Sequence, residues 1–174
     1  MADVPSNIIL IGMPGSGKST VGVILAKMTS RSFVDTDVMI QTAKGLSLQE
    51  IVDTRGYMDL RRIEEDVLLG LTCDNHVIAT GGSCVYSHRA MMHLKQNGLC
   101  VFLDAPLDTL CKRIRNVNTR GLAKRADQTF EDLFNERQPL YTKYADITVA
   151  CGKRRHEEVC AAIIDGLNAN YSMV

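Results

Sequence analysis

The sequence predicts an α/β fold built around a mainly parallel sheet, and three observations predict it. Short β-branched runs alternate with longer amphipathic stretches, the pattern of successive strand–helix units. A glycine-rich loop, Gly12-Met13-Pro14-Gly15-Ser16-Gly17-Lys18-Ser19, stands between the first strand-like run and the first helix-like one. The 174 residues, 45% of them hydrophobic, suit one domain (1–174) with a sizeable core and leave little room for a second catalytic one.

Taken in order, Asn7-Ile8-Ile9-Leu10-Ile11 is a nearly unbroken apolar run and reads as a fully buried strand, followed by a helix from Ser19 to Met28. Ser32-Phe33-Val34-Asp35 reads as the second strand. Residues 38–71 form a helical segment broken near Lys44-Gly45 and Arg55-Gly56, where glycine permits a turn. Strands return at Val77-Ile78-Ala79-Thr80, Leu99-Cys100-Val101-Phe102-Leu103 and Ile147-Thr148-Val149. Helices fall at about Ser87 to Gln96, Pro106 to Arg115, Phe130 to Tyr144 and His156 to Asn168. Between Arg113 and Arg125 charges crowd, apolar periodicity is lost and a glycine intervenes, so that stretch is a loop, and a solvated surface connection is its plain alternative.

Charge and composition exclude several function classes. Lys+Arg 20 against Asp+Glu 20 gives zero net charge, so nucleic acid and membrane surfaces find no bulk attraction and any anion must be met locally. Trp is absent and aromatics are 5%, which leaves few platforms for base stacking. No basic leader and no long apolar run is present, so a soluble, cytoplasmic protein is expected. The six cysteines include no CxxC pair, which argues against a zinc site or a disulfide scaffold. They read as buried thiols, with Cys84, beside a glycine pair, the one that would sense oxidation if exposed.

The glycine loop fits GxxxxGK[ST] between a predicted strand and helix, the context that pattern requires. Gly12, Gly15 and Gly17 let the backbone curl so that N–H groups of Ser16, Ser19 and Thr20 join the helix dipole in cradling phosphates. Lys18 reaches the outer phosphates and the Ser19 hydroxyl can ligate Mg²⁺. Asp35-Thr36-Asp37 falls at the carboxyl end of a strand, where ligands of parallel sheets sit. Two residues apart in extended chain they share a side, one serving the metal and the other an acceptor hydroxyl; a helix N-cap with an exposed neighbour is the alternative. Thr80-Gly81-Gly82-Ser83 follows another strand and either lets a substrate lie against the backbone or is an ordinary turn. Arg61 and Arg62 open a helical stretch in which Glu64, at i+3, is placed to hold the Arg61 guanidinium. Arginine suits a carboxylate because its fork makes two parallel hydrogen bonds, although such faces are commonly just solvated.

Together these residues resemble shikimate kinase, a small P-loop kinase of the nucleoside-monophosphate-kinase-like group. The likeness covers nearly the whole chain: Gly12 to Ser19, Asp35-Thr36-Asp37, Leu60-Arg61-Arg62-Ile63-Glu64-Glu65, Gly81-Gly82, Asn118-Thr119-Arg120 and Glu136-Arg137-Gln138-Pro139-Leu140-Tyr141. It implies a three-layer P-loop fold, with a five-stranded parallel sheet, helices on both faces and a mobile lid over about 113–125. It also implies transfer of the ATP γ-phosphoryl group to the 3-hydroxyl of shikimate with Mg²⁺, in a monomer. By matching position, Asp35 joins Ser19 around the metal, and Asp37 holds the acceptor hydroxyls and takes the proton. Arg61, Arg137, Gly81 and Gly82 bind the substrate, Arg120 swings over the phosphates beside Lys18, and Arg113 and Arg154 flank the nucleotide. Ser83, Tyr57, Leu60 and Gly121 depart from the family pattern, and the turn Lys153-Arg154-Arg155-His156 lacks its usual proline. These changes alter the pocket wall, and Gly121 is expected to loosen the lid. The alternatives are a related kinase for another small hydroxy acid, polyol or amino-alcohol, and a non-catalytic nucleotide-binding module.

Overall fold

The computed structural model of the chain describes residues 5–114 and 121–171. Five strands, β1 (Asn7–Ile11), β2 (Ser32–Asp35), β3 (His76–Ala79), β4 (Gly98–Asp104) and β5 (Ile147–Ala150), form one sheet in the order β2-β3-β1-β4-β5. Every pairing is parallel. β1 lies at the centre with Ile9 opposite both Ile78 and Cys100, and all five of its residues are buried. A strand covered on both faces needs an unbroken apolar run rather than alternation, which is why Ile8 to Ile11 carry no polar residue.

Helices α1 (Lys18–Met28) and α8 (His156–Tyr171) pack together against one face. α4 (Tyr57–Leu69), α5 (His88–Lys95) and α7 (Phe130–Tyr144) cover the other, and α6 (Leu107–Arg113) follows β4. The helical segment expected over 38–71 is three helices, α2 (Thr36–Lys44), α3 (Leu48–Arg55) and α4. The breaks fall at the two expected glycines, Gly45 with φ 64° and Gly56 with φ 83°, left-handed values that a side chain resists. Ser47 and Glu50 close a reciprocal capping box that starts α3. A second apolar cluster of Ile40, Ile51, Leu60, Ile63 and Ala123 holds this segment together, apart from the main core around β1.

Chain direction fixes where a site can form. From β1 the chain passes over β3 to reach β2, returns to β3, and then crosses to β4 on the opposite side of β1. The carboxyl end of β1 is therefore the switch point at which a parallel sheet opens a crevice.

Three features differ from expectation. Only Asp35 of the Asp35–Asp37 pair ends a strand; Asp37 lies in the first turn of α2. A one-turn 3-10 helix, Cys84–Tyr86, follows the glycine pair. Of the loop expected from Arg113 to Arg125, residues 115–120 lie outside the described residues, and with them Arg120. The residues just beyond are docked rather than loosened: Gly121, φ 65°, donates its N–H to Gln49 Oε1 at 2.8 Å. A Cβ there would strike the backbone of Leu48 and Gln49. Among the described residues no helix is long and apolar enough to cross a membrane.

Candidate active site

The loop after β1 curls as its glycines demand, with φ 147° at Gly12, 85° at Gly15 and 99° at Gly17. A Cβ at Gly12 would lie 2.8 Å from the Leu103 carbonyl oxygen, so bare backbone is required there. α1 begins at Gly17 with no side-chain cap, which leaves its first N–H groups free for a ligand. Lys18 folds back under the loop, its Nζ donating to the carbonyls of Gly12 (2.8 Å) and Met13 (3.0 Å). Burial pushes this ammonium down to about 8, against the opposing pull of Asp37. Ser19 and Thr20 are exposed at the mouth, and Ser19 Oγ donates to Asp35 Oδ2 at 2.5 Å. The other Asp35 oxygen accepts from the N–H groups of Asp37 (3.0 Å) and Val38 (3.4 Å). One carboxylate thus caps α2 through one oxygen and accepts from Ser19 at the mouth of the loop through the other.

Lys18, Asp37, Glu64, Gly81, Gly82, Ser83 and Arg137 line one cleft of about 290 Å³ with the loop, Arg113 and Ala123. Arg137 is almost fully buried, and its Nη2 donates to the Ala123 carbonyl at 3.0 Å. Glu64 is buried as well and accepts from the Ser83 hydroxyl. Burial, and next the neighbouring Asp37 carboxylate, push the Glu64 carboxyl up to about 7. A Cβ on Gly81 would collide with the Glu64 carboxylate and come within 2.8 Å of Asp37 Oδ1. Gly81→Ala is therefore expected to weaken kcat/KM for the acceptor about ten- to hundredfold, as overpacking does, with KM for nucleotide unchanged. Steady-state kinetics with each substrate varied in turn check it.

Several placements correct the sequence reading. Glu64 does not hold Arg61: it turns to Ser83, and the carboxylate beside Arg61 is Glu136, 3.9 Å away. Arg61 itself lines a neighbouring hollow of about 350 Å³ whose wall, Glu64 and Ser83, is shared with the main cleft. Arg154 is exposed on the turn before α8 and stands outside the cleft lining. The His156 ring is what approaches the loop, 3.6 Å from where a Gly17 Cβ would sit. Cys84 is buried and its thiol donates to Thr80 Oγ1 at 3.2 Å. Burial pushes that thiol far up, so it is inert rather than oxidation-sensitive.

Residues 14–168 match the sequence model of the shikimate kinase family. The chain belongs to that family. A shikimate kinase of Aquifex aeolicus is 37% identical over 164 residues, covering 94% of this chain and 96% of the relative. One from Rippkaea orientalis is 38% identical over 165 residues, covering 92% and 87%. The structure of Acinetobacter baumannii shikimate kinase in complex with shikimate superposes with a TM-score of 0.88 at 31% identity, covering 97% of this chain and 96% of that one.

The shikimate kinase loop also suits a nucleotide on its own evidence. Ser16 Oγ is buried with no partner among the described residues, an orphan that a phosphate oxygen would satisfy. Among the described residues no group of three or more His, Cys, Asp or Glu converges. Ser19 and Asp35 suit Mg²⁺ rather than a metal held in an all-protein cage, because Mg²⁺ takes most of its ligands from phosphates and water. Arg113 lies at the other end of the loop, with Nη1 3.5 Å from the Gly15 carbonyl and Nη2 3.4 Å from that of Cys151.

The Glu64 environment has a measurable consequence. In the folded chain this carboxyl keeps its proton from its ordinary 4.5 up to about 7, where the unfolded chain has already released it. Stability therefore falls as pH rises through that window and is constant on this account above it. Glu64→Gln should remove the slope, so that its advantage over the parent grows by on the order of 3 kcal/mol between pH 4.5 and 8. Urea denaturation of the ligand-free protein at both pH values measures this, and parallel pH curves would contradict it.

Proposed function

We propose that the protein transfers the γ-phosphoryl group of ATP to the 3-hydroxyl of shikimate. The observation that carries the proposal is one cleft lined by Lys18, Asp37, Gly81, Gly82 and Arg137, which sets phosphate-binding charge, a carboxylate and a carboxylate-binding guanidinium side by side. Belonging to the shikimate kinase family supports the same reading. Ser19 and Asp35, already joined by a hydrogen bond, would hold Mg²⁺, which would supply positive charge to the phosphate oxygens.

The protein's own work is alignment and charge, since phosphoryl transfer asks for little covalent help. Loop N–H groups and Lys18 hold the phosphates and stabilise charge on the transferring oxygens. Arg137, with Arg61 beside it, binds the acid's carboxylate and so directs the opposite side of the ring toward Asp37. Asp37 accepts a hydrogen bond from the attacking hydroxyl and takes its proton as the bond to phosphorus forms. Gly81 and Gly82 let the ring lie against the backbone. Arg120, outside the described residues, is the residue that the family resemblance assigns to charge stabilisation on the phosphates, and Arg113 borders the nucleotide. The protein acts alone on a small molecule, without nucleic acid or membrane, in the cytoplasm.

Purified protein with ATP and Mg²⁺ is expected to release ADP in proportion to added shikimate and to form shikimate 3-phosphate. ADP release that ignores shikimate would overturn the assignment.

A further inference from the structure

Tyr86 ends the short 3-10 turn that follows the glycine pair. The Arg61 guanidinium carbon stands 3.6 Å from the centre of its ring, and that of Arg137 stands 5.3 Å away. Arg137 Nε donates to the Tyr86 hydroxyl at 3.3 Å, and that hydroxyl donates to Glu136 Oε1. Glu136 also lies 3.9 Å from Arg61 Nη2 and 3.7 Å from Arg125 Nη1, and accepts from Gln128 Nε2 at 2.7 Å. Both arginines then donate to one oxygen, the Ala123 carbonyl, at 3.2 and 3.0 Å.

Two cations converging on a single carbonyl repel each other, and the repulsion grows as water is removed. Something must hold them there. Tyr86 meets the requirement twice: its ring face attracts the Arg61 cation, and its hydroxyl links Arg137 to the Glu136 carboxylate beside Arg61. Burial pushes the phenol up, so the hydroxyl keeps its proton and its bond to Glu136 at neutral pH. Arg61 Nε is buried with no partner among the described residues, so the pair retains a donor that its surroundings leave unused.

We propose that Tyr86 is a positioning residue that presets Arg61 and Arg137 as a pair for the carboxylate of the acceptor acid. The proposal rests on the reading of the acceptor as a hydroxy acid. It places affinity for the acid's charge in a side chain that touches neither the phosphates nor the reacting hydroxyl.

Tyr86→Phe keeps the ring and removes both hydroxyl bonds, and Tyr86→Leu removes the ring as well. KM for shikimate should rise about three- to tenfold in the first and about ten- to fiftyfold in the second, with kcat within about twofold and KM for ATP unchanged. The decisive control is the methyl ester of shikimate, whose carboxylate is gone: parent and variants should show equal kcat/KM on it. Thermal melting shows whether Tyr86→Leu folds, and Tyr86→Phe carries the test if it does not. Unchanged KM for the acid, an equal loss on acid and ester, or a lowered KM, which would make Tyr86 a parking place for Arg61, each overturns the inference. If the parent ignores shikimate but phosphorylates another acid, the functional reading fails and that acid and its ester replace shikimate in the same comparison. A parent that phosphorylates only uncharged acceptors overturns both.

Discussion

Replacing Lys18 by Met is expected to cut kcat by about a thousandfold or more, the scale on which a preorganised charge stabilises developing negative charge in a water-poor site. The ligand-free fold should not suffer. Lys18 is buried, and burial pushes its ammonium down to about 8, so the folded chain carries this charge at a cost throughout the neutral range. Between about 8 and the ordinary 10.5 the unfolded chain holds a proton that the folded chain has released, so stability rises with pH across that window. Met has the length of the lysine stem without the charge, so Lys18→Met relieves that cost while giving up the bonds to the Gly12 and Met13 carbonyls, and it should melt near the parent temperature while turnover collapses. Melting curves with and without nucleotide, set beside kcat, test both halves. A destabilised variant with normal turnover would show Lys18 to be a structural residue.

Asp37→Asn is the second large effect. Asn preserves the shape and one acceptor oxygen but can neither take a proton nor carry charge, so kcat should fall about a hundred- to ten-thousandfold with KM for ATP nearly unchanged. The same substitution has an electrostatic signature. The Asp37 carboxylate holds Lys18 up and pushes Glu64 up, so in the variant both groups should titrate at lower pH. The residual activity profile and the pH dependence of stability should both move in that direction. Normal turnover in Asp37→Asn would refute the assigned role.

What could be read from the chain depended on how local the signal was. The loop from Gly12 to Ser19 was legible because its backbone curl needs glycine at fixed positions, and the observed φ values fall at those glycines. The sheet was legible because β1 is apolar from Ile8 to Ile11. Arg137 carries a subtler mark: Leu133, Arg137, Tyr141 and Tyr144 share the buried stripe of α7, so a cation sits where periodicity demands an apolar residue. Glu64 repeats this on α4 between Leu60 and Leu68, and that spacing, rather than its distance from Arg61, was the signal that could have placed it in the cleft. Two things were not legible. Asp37 lies on a helix rather than a strand because Asp35 caps α2 immediately, a choice between extended and helical chain that three residues do not decide. Tyr86 reaches its arginines from helices far away in sequence, and no local pattern announces such a contact.

The most direct test is a one-pot competition. Equal concentrations of shikimate, its methyl ester, a second hydroxy acid, a polyol and an amino-alcohol are supplied with limiting ATP and Mg²⁺, and the phosphorylated products are separated by mass. Product ratios report relative kcat/KM, the quantity through which an enzyme discriminates. Shikimate 3-phosphate should dominate, with the ester far behind because Arg61 and Arg137 have lost their partner. A mixture led by the polyol or the amino-alcohol, or an ester that competes evenly with the acid, would contradict the account.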